Sequence, residues 1–417
     1  MADQPRVSHF QWRNTFAALR HRNFRLWFWG QMVSLFGTWM QIAAQGYLIF
    51  QLTGSPAYLG YVGFSSGAAV WLFMLYGGVI ADRVPRRSLL LATQSYMTVL
   101  ALVLAALTFF RVVQPWHILV LAFLLGLGNA LDAPARQAFV LEMVEREDLT
   151  NAIALNSTMF NTGMVVGPAA GGLIYAAVGP GWCFSINAVT FLAVIAALAL
   201  MRLPPRAPRP AARTAQRNPF PELGEGLRYT FGHPFLRTFL LLAAGIGLFG
   251  ISFATLFPAW AVRVLGGDAT TNGLLQSARG LGGLAGALGI ASLGQFRFRG
   301  KLVTAGSFLF PLALFGFAFM RRLPPALLFS AVAGAASLIT LNLTNALLQT
   351  TADDLFRGRV MSLYSLCIFG LNPIGALLAG TAAQAFGEPA VLIVGAGSLL
   401  AIAAGVYLGE PRLRRAV

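Results

Sequence analysis

The sequence predicts an all-α membrane protein of twelve transmembrane helices, in two pseudo-symmetric six-helix bundles with both termini in the cytoplasm. Three observations point there. Of 417 residues, 57% are hydrophobic and 11% are charged, whereas a soluble chain carries roughly 25% charged residues. The apolar residues gather in long unbroken runs, each of about the 20 residues that a helix needs to cross a bilayer. Membrane strands would instead read as alternating segments of about ten residues. Finally, the net charge of +16 is unevenly placed: 25 of the 30 basic residues fall in one set of loops and 4 in the other. Basic loops stay on the cytoplasmic side. This placement also argues against nucleic acid as a partner and toward anionic lipid heads of the inner leaflet.

The runs follow in order. Residues 27–50 come after the inner arginines Arg6, Arg13, Arg20, Arg22 and Arg25, and 58–81 ends at Arg83. Residues 88–110 lie between Arg86-Arg87 inside and Arg111 outside, 116–134 returns to Arg136, and 152–178 leaves from Arg146. Residues 183–201 end at Arg202. In the second half 236–260 opens on Arg237 and closes before Arg263. Residues 273–294 contain Arg279 and end before Arg297 and Arg299. Then 302–320 runs from Lys301 to Arg321-Arg322, followed by 326–349, by 360–385 after Arg357 and Arg359, and by 389–408 before Arg412, Arg414 and Arg415.

The domain organisation follows. Residues 1–26 are a cytoplasmic N-terminal segment, of which 9–25 mixes arginine with aromatics as an interfacial helix does. Residues 27–201 and 236–408 are the two bundles, and 409–417 a cytoplasmic tail. Residues 202–235 carry six prolines through Pro221 and are too short for a folded domain, so they read as a cytoplasmic linker. Cys183 and Cys367 both fall in apolar runs and read as small buried hydrophobes. The four histidines form no ligand cluster, so no metal is expected. The first apolar run has full span length and no small-residue cleavage site, so no cleavable signal peptide is expected.

The halves echo each other. HRNFRLWFWGQMVSLFG (21–37) resembles HPFLRTFLLLAAGIGLFG (233–250), and VVGPAAGG (165–172) resembles GLNPIGALLAG (370–380) around Pro168 and Pro373. GNALDAPARQAF (128–139) matches TNALLQTTADDLF (344–356) more weakly. Matches in the same order, roughly 205 to 216 residues apart, imply duplication. Parallel repeats around a midplane site are a transporter arrangement.

GGVIADRVPRR (77–87) sits between the second and third runs. Arginines cannot cross the bilayer cheaply and mark an inner turn; Gly77 and Gly78 would let two helices approach; Asp82 can pair with an arginine or a helix N-terminus. The pattern Gly78, Asp82, Arg83, Arg86, Arg87 resembles the signature loop of the major facilitator superfamily, in which it implies a gating contact made in one conformation only. In the fifth run, Gly163, Gly167, Pro168, Gly171 and Gly172 permit close packing and a bend. They resemble the motif that the superfamily associates with antiporters, which implies outward transport. With LTGSPAYLG, ALDAPARQAFVLEMV, NAIALNS and RGRVMSLY, the chain resembles almost throughout the third group of drug–proton antiporters, which holds siderophore and macrolide exporters. One departure is a missing proline near Trp71.

The resemblance implies a major facilitator fold and a secondary active exporter of the bacterial inner membrane. Its expected cargo is an amphiphilic small molecule, drug-like or a siderophore, moved by alternating access and driven by a proton gradient without a bound cofactor. A lipid or lysolipid flippase is the nearest alternative. A membrane-embedded enzyme is remote, since no His-Asp, Cys-His or metal cluster stands at membrane depth. No phosphate-binding Walker string occurs, so ATP is not used directly. A monomer is expected.

Polar residues inside the runs are the candidates for the cavity. Gln31, Ser34, Thr38, Gln41 and Gln45 fall within an arc of about 80° on one helix face. Asn342, Asn345 and Gln349 share a second face, and Asn129, Asp132 and Arg136 a third. Such stripes face protein or a water-filled path rather than lipid; they serve either helix–helix hydrogen bonding or a cavity. Asp132 is the candidate proton site, or else a structural partner of Arg136 four residues on. Arg279 either binds an anionic group, closes a periplasmic gate or snorkels outward.

Overall fold

A computed structural model describes residues 16–202, 219–293 and 299–409; the side chains of Leu75, Asp82, residues 219–223 and Arg299 lie outside the described set. The first half comprises α1 (Arg22–Thr53), α2 (Pro56–Arg83), α3 (Arg86–Phe109), α4 (Pro115–Val140), α5 (Leu149–Val178) and α6 (Pro180–Leu200). After a short α7 (Pro219–Gly232), the second half comprises α8 (Pro234–Val264), α9 (Ala269–Leu293), α10 (Arg299–Ala318), α11 (Leu323–Thr351), α12 (Asp354–Phe386) and α13 (Glu388–Gly409). Among the described residues, each predicted run lies in one of these long helices, extending past its end by two residues at most. Prolines open α2, α4, α6 and α8, where the missing N–H costs nothing. Gly54, with φ +62°, ends α1 in the left-handed conformation.

Among the described residues, nine helices are long and apolar enough to cross a membrane. The long helices that fall short are α1, α5 and α9. They pack on one another, α5 against both α1 and α9. Gln31, Gln41 and Gln45 of α1 and most glycines of α5 and α9 are covered by protein, so these helices need less hydrocarbon surface than a helix bathed in lipid.

Two segments differ from the sequence reading. Residues 219–232, within the expected linker, form a helix that docks on the start of α12. The Tyr229 ring stacks on Phe356 at 4.2 Å, and Arg359 pairs with Glu225 at 2.7 Å. The Tyr229 hydroxyl donates to Asp353 at 2.9 Å. Pro219 and Pro221, read as linker residues, stand in its first turn, which tolerates them. Within 9–25, expected as an interfacial helix, residues 17–20 make one 3-10 turn tied to α5 by the Ala18 N–H donating to Asn151 at 3.0 Å, and α1 begins at Arg22. The rest of that segment through residue 15 lies outside the described residues, as do 203–218 of the linker, 294–298 and the tail beyond 409.

The halves meet along two seams at the end of the bundle that carries the Gly54 and Gly179 turns. In one, α2 packs on α12: Gly60 lies against the Ala376 carbonyl and Gly67 against the Pro373 ring. In the other, α5 packs on α9: Gly172 lies against the Ala269 carbonyl and Gly273 against that of Pro168. The seams exchange roles between the repeats, proline from α5 or α12 and glycine from α9 or α2, as the echo of Pro168 with Pro373 predicts. Hydrogen bonds also cross here, from Ala169 N–H to Ser277 at 2.9 Å, from Asn272 to the Ala43 carbonyl at 3.2 Å, and from Arg263 to the Gly54 carbonyl. Glu388, buried, holds Arg263 at 3.1 Å. At the opposite end the polar ties run within a half, as Arg86 to Glu142, His21 to Asp148 and Arg359 to Glu225 do.

The two cores differ. In the second half one continuous apolar cluster runs from Leu236 through Phe310 and Leu343 to Leu399. In the first half the apolar core is divided. One part, around Trp27, Phe139 and Leu198, lies toward the turn between α2 and α3; a second, around Ile49, Leu104 and Phe184, lies toward the seams; a small third joins Met97 and Ala101 of α3 to Ala188 and Phe191 of α6. A polar layer separates the first two.

Candidate functional site

That polar layer is built by α1, α3, α4 and α6 around a cavity of about 190 Å³, closed on its α5 side by Phe160. From α1 come Gln31, Ser34, Thr38 and Gln41, the stripe predicted from spacing. Gln31 and Gln41 are 2% and 3% exposed, so these amides are removed from both lipid and bulk water. Gly37 makes room for α6: its missing side chain leaves space for Asn187 and Thr190. Asn187 then donates to Gln41 Oε1 at 2.7 Å. Among the described residues, Nε2 of Gln31 is buried without a hydrogen-bond partner, as is the side-chain carbonyl oxygen of Gln94. Unpaired buried polar atoms are costly, and here they line a cavity that a solute or water can fill.

Asp132 occupies the centre of the layer, 1% exposed. Its Oδ1 accepts from Thr93 Oγ1 at 2.8 Å and from Gln94 Nε2 at 2.9 Å, while Oδ2 faces Arg136 Nε at 3.6 Å. Both readings of Asp132 thus have a physical basis: it pairs with Arg136 at i+4, and it also lines the cavity. Asn129 lines the same cavity and donates to the Leu125 carbonyl of its own helix.

The other candidates stand elsewhere. Gln45 is buried one turn beyond the cavity. Asn345 is half-buried and accepts from Gln349 at 2.6 Å, and Asn342 is exposed, both near the α12 end of α11. Arg279 lies on α9 with its Nε buried and unpaired among the described residues. Thr93, Gln94, Asn187, Asn272 and Gln276 were not singled out from sequence, although all are polar residues inside apolar runs and the same rule would have found them.

The signature loop binds its own half together. Arg86 donates to Glu142 at 2.6 Å and to the Ala138 carbonyl at 3.1 Å on α4, and Arg87 donates to the Ala199 carbonyl at 3.0 Å on α6. Arg83 is exposed. Gly77 packs on the Ala130 backbone, but a side chain at Gly78 would meet only open space. The close approach expected of both glycines therefore belongs to Gly77 alone, because the helical turn points them in different directions. The fifth-run string serves two faces. Gly163, Gly167 and Gly171 lie against Leu35, Trp39 and Met40 of α1, whereas Pro168 and Gly172 form the seam with α9.

Comparisons with known proteins agree with this architecture. The chain is similar to the multidrug efflux pump Tap of Mycolicibacterium fortuitum, 30% identical over 387 residues, covering 91% of this chain and 93% of the relative. It is 30% identical over 378 residues to the enterobactin exporter EntS of Shigella boydii, covering 86% and 85%. With the staphyloferrin A transporter of Staphylococcus aureus it shares 25% over 353 residues, 84% and 87% of the two chains. Its fold resembles that of a bacterial Spinster homologue in an inward-facing, unoccupied conformation, with a TM-score of 0.69 at 14% identity over 97% of this chain and 99% of that one. A POT family transporter bound to a thioalcohol-conjugated peptide gives 0.73 at 13% identity over 94% and 96%. Residues 13–414 match the transmembrane secretion effector family, and with seams, repeats and signature loop all in place the chain belongs to that family of the major facilitator superfamily.

Proposed function

We propose that the chain is a secondary active exporter of amphiphilic small molecules across the bacterial inner membrane, spanning it twelve times as a monomer with both termini in the cytoplasm. The observation that carries this is the polar layer that divides the apolar core of one half, in a bundle whose halves are joined at one end by small-residue seams. A layer of buried amides and one carboxylate destabilises a membrane bundle unless something uses it. The Tap and EntS relatives support export. With the charge asymmetry placing the Gly54 turn outside, the seams close the outer face, and in this reading cargo would reach the cavity from the cytoplasmic side. Parting the seams while the inner ends approach would move a solute outward.

Asp132 is the proposed proton site. Thr93, Gln94 and Arg136 suit an acceptor-only carboxylate, and cargo entering the layer would compete for the same donors. The Asp82 loop is proposed to gate the inner face, with Arg86 and Arg87 keeping α3, α4 and α6 one rigid unit. One observation favours the flippase reading: an apolar groove of about 440 Å³ between α8, α12 and α13, lined by Phe249, Leu378, Phe386 and Val394. The test is accumulation of a fluorescent amphiphile panel in cells with and without the protein. Lower accumulation in expressing cells is expected; higher accumulation would mean import. Movement of labelled lysolipid alone would favour the flippase.

A further inference from the structure

The seam geometry fixes the direction in which Arg279 points. On α9, Leu281 and Leu288 are 55% and 61% exposed and mark the outward, lipid-facing side. Gly273, Ser277 and Gly280 face α5, and Gly282 and Gly286 face α11. At about 100° per residue, Arg279 lies roughly 160–180° from the lipid-facing stripe. It shares its face with Asn272 and Gln276, and Asn272 donates to the Ala43 carbonyl of α1. The guanidinium therefore projects between α11 and α1, toward the space between the halves, and does not snorkel along the lipid face.

Its charge has no counter-ion among the described residues. Among the described residues no carboxylate pairs with it, and its Nε is buried without a partner. Arg136, nearer the inner end of α4, is by contrast matched by Asp132. Two carboxylates toward the outer ends of the second-half helices are engaged elsewhere: Asp268 accepts from the Thr271 N–H at 3.0 Å, and Glu388 holds Arg263. The membrane interior of the described chain thus carries one unmatched positive charge, on the α9 face that also holds Asn272 and Gln276. A buried unpaired charge is destabilising by itself, and a ligand anion would relieve it.

Resting on the exporter reading, we propose that Arg279 selects the cargo by charge, and that the cargo is an amphiphile bearing a carboxylate. The planar fork of the guanidinium fits that group with two parallel hydrogen bonds. A cationic amphiphile would meet repulsion at the same place.

The test uses the full-length protein in nanodiscs, with three dansylated probes of one chain length ending in a carboxylate, a primary amide or a trimethylammonium group. Binding is read by dansyl fluorescence, and transport by uptake into inverted vesicles. The carboxylate should bind at least about tenfold tighter than the amide, the factor that a charge-assisted hydrogen bond supplies. Arg279→Gln should reduce that ratio to about twofold, and Arg279→Lys should keep the order of preference with a smaller ratio. If the Gln variant does not purify as a monodisperse species, the Lys variant decides: an undiminished ratio overturns the proposal. Equal binding of the three probes by the unaltered protein overturns it as well. So does a preference for lysophosphatidate of matched chain length, which would give Arg279 to a lipid phosphate. If no probe of any charge is bound or moved, the exporter reading itself fails.

Discussion

Replacing Gly60 by alanine should shift the balance between transport conformations without unfolding the protein. A Cβ on Gly60 would stand 2.6 Å from the Ala376 carbonyl oxygen and 3.1 Å from Leu377 Cα. Both neighbours are backbone atoms of a helix and cannot rotate away. Ordinary contact needs about 3.5 Å, so α2 and α12 must separate by about 0.8–0.9 Å at that level. Overpacking of this kind costs about 1–3 kcal/mol. The better helix propensity of alanine, up to about 1 kcal/mol, acts in both conformations and cancels. The clash exists only where the seam is closed. The ratio of seam-closed to seam-parted molecules should therefore fall by roughly 5- to 150-fold. Spin labels at Glu147 and Thr351, both exposed at the opposite end, in a background lacking Cys183 and Cys367, should report shorter distances. Gly167→Ala is the contrast: its Cβ would stand 2.6 Å from Trp39 Cβ within one half, so it should lower thermal stability and leave the distance distribution in place. An unchanged distribution in folded Gly60→Ala protein, or the same shift from Gly167→Ala, would refute the reasoning.

Four further outcomes are expected. Asp132→Asn should keep an acceptor for Thr93 and Gln94 and preserve cargo binding, yet abolish transport driven by a pH gradient in proteoliposomes; persistent response to the gradient would place the proton site elsewhere. Arg263→Ala removes the contacts to Gly54 and Glu388 and leaves a buried carboxylate unpaired, so a cysteine at Gly54 should react faster with an impermeant maleimide; an equal rate would show that the clasp does not hold the seam. Arg86→Gln loses the charge-assisted bond to Glu142 and should reduce transport several-fold at equal expression, and full activity would remove the loop from the mechanism. A cysteine at Ala215 should resist an impermeant reagent applied outside intact cells, and ready labelling would reverse the topology.

The helices were legible because membrane-length apolar runs leave few alternatives, and the two repeats because Pro168 and Pro373 sit in matching strings. What those prolines touch was not legible. A sequence shows that Gly67 and Gly273 are small, not that each receives a proline-bearing helix from the other half. The α1 stripe was legible as one helix face, since one helix carries its own periodicity, and four of its five members line the cavity while Gln45 does not. The wall from α3 and α6 depends on how three helices rotate about their axes, and Thr93, Gln94 and Asn187 meet α4 and α1 across long sequence separations. Gly77 and Gly78 show the same limit: adjacent glycines look alike until the neighbouring helix is placed beside only one of them. The helix at 219–232 was hidden by Pro219 and Pro221, which signal a linker in composition and a first turn in structure.

The seams also bear on how the gene can change. Gly60, Gly172 and Gly280 each face a carbonyl of the opposite half, at 2.6, 2.5 and 2.7 Å from where a side chain would begin. Single-base changes in a glycine codon lead to alanine, serine, cysteine, valine, arginine, tryptophan or an acid, and each of these adds at least the atom that clashes. Those codons have almost no permissive neighbours, whereas Gln31, Thr38 and Asn129 border open volume and can be exchanged one step at a time. A population selected to expel a new compound should therefore record its history in the polar layer and leave the seams as they were inherited.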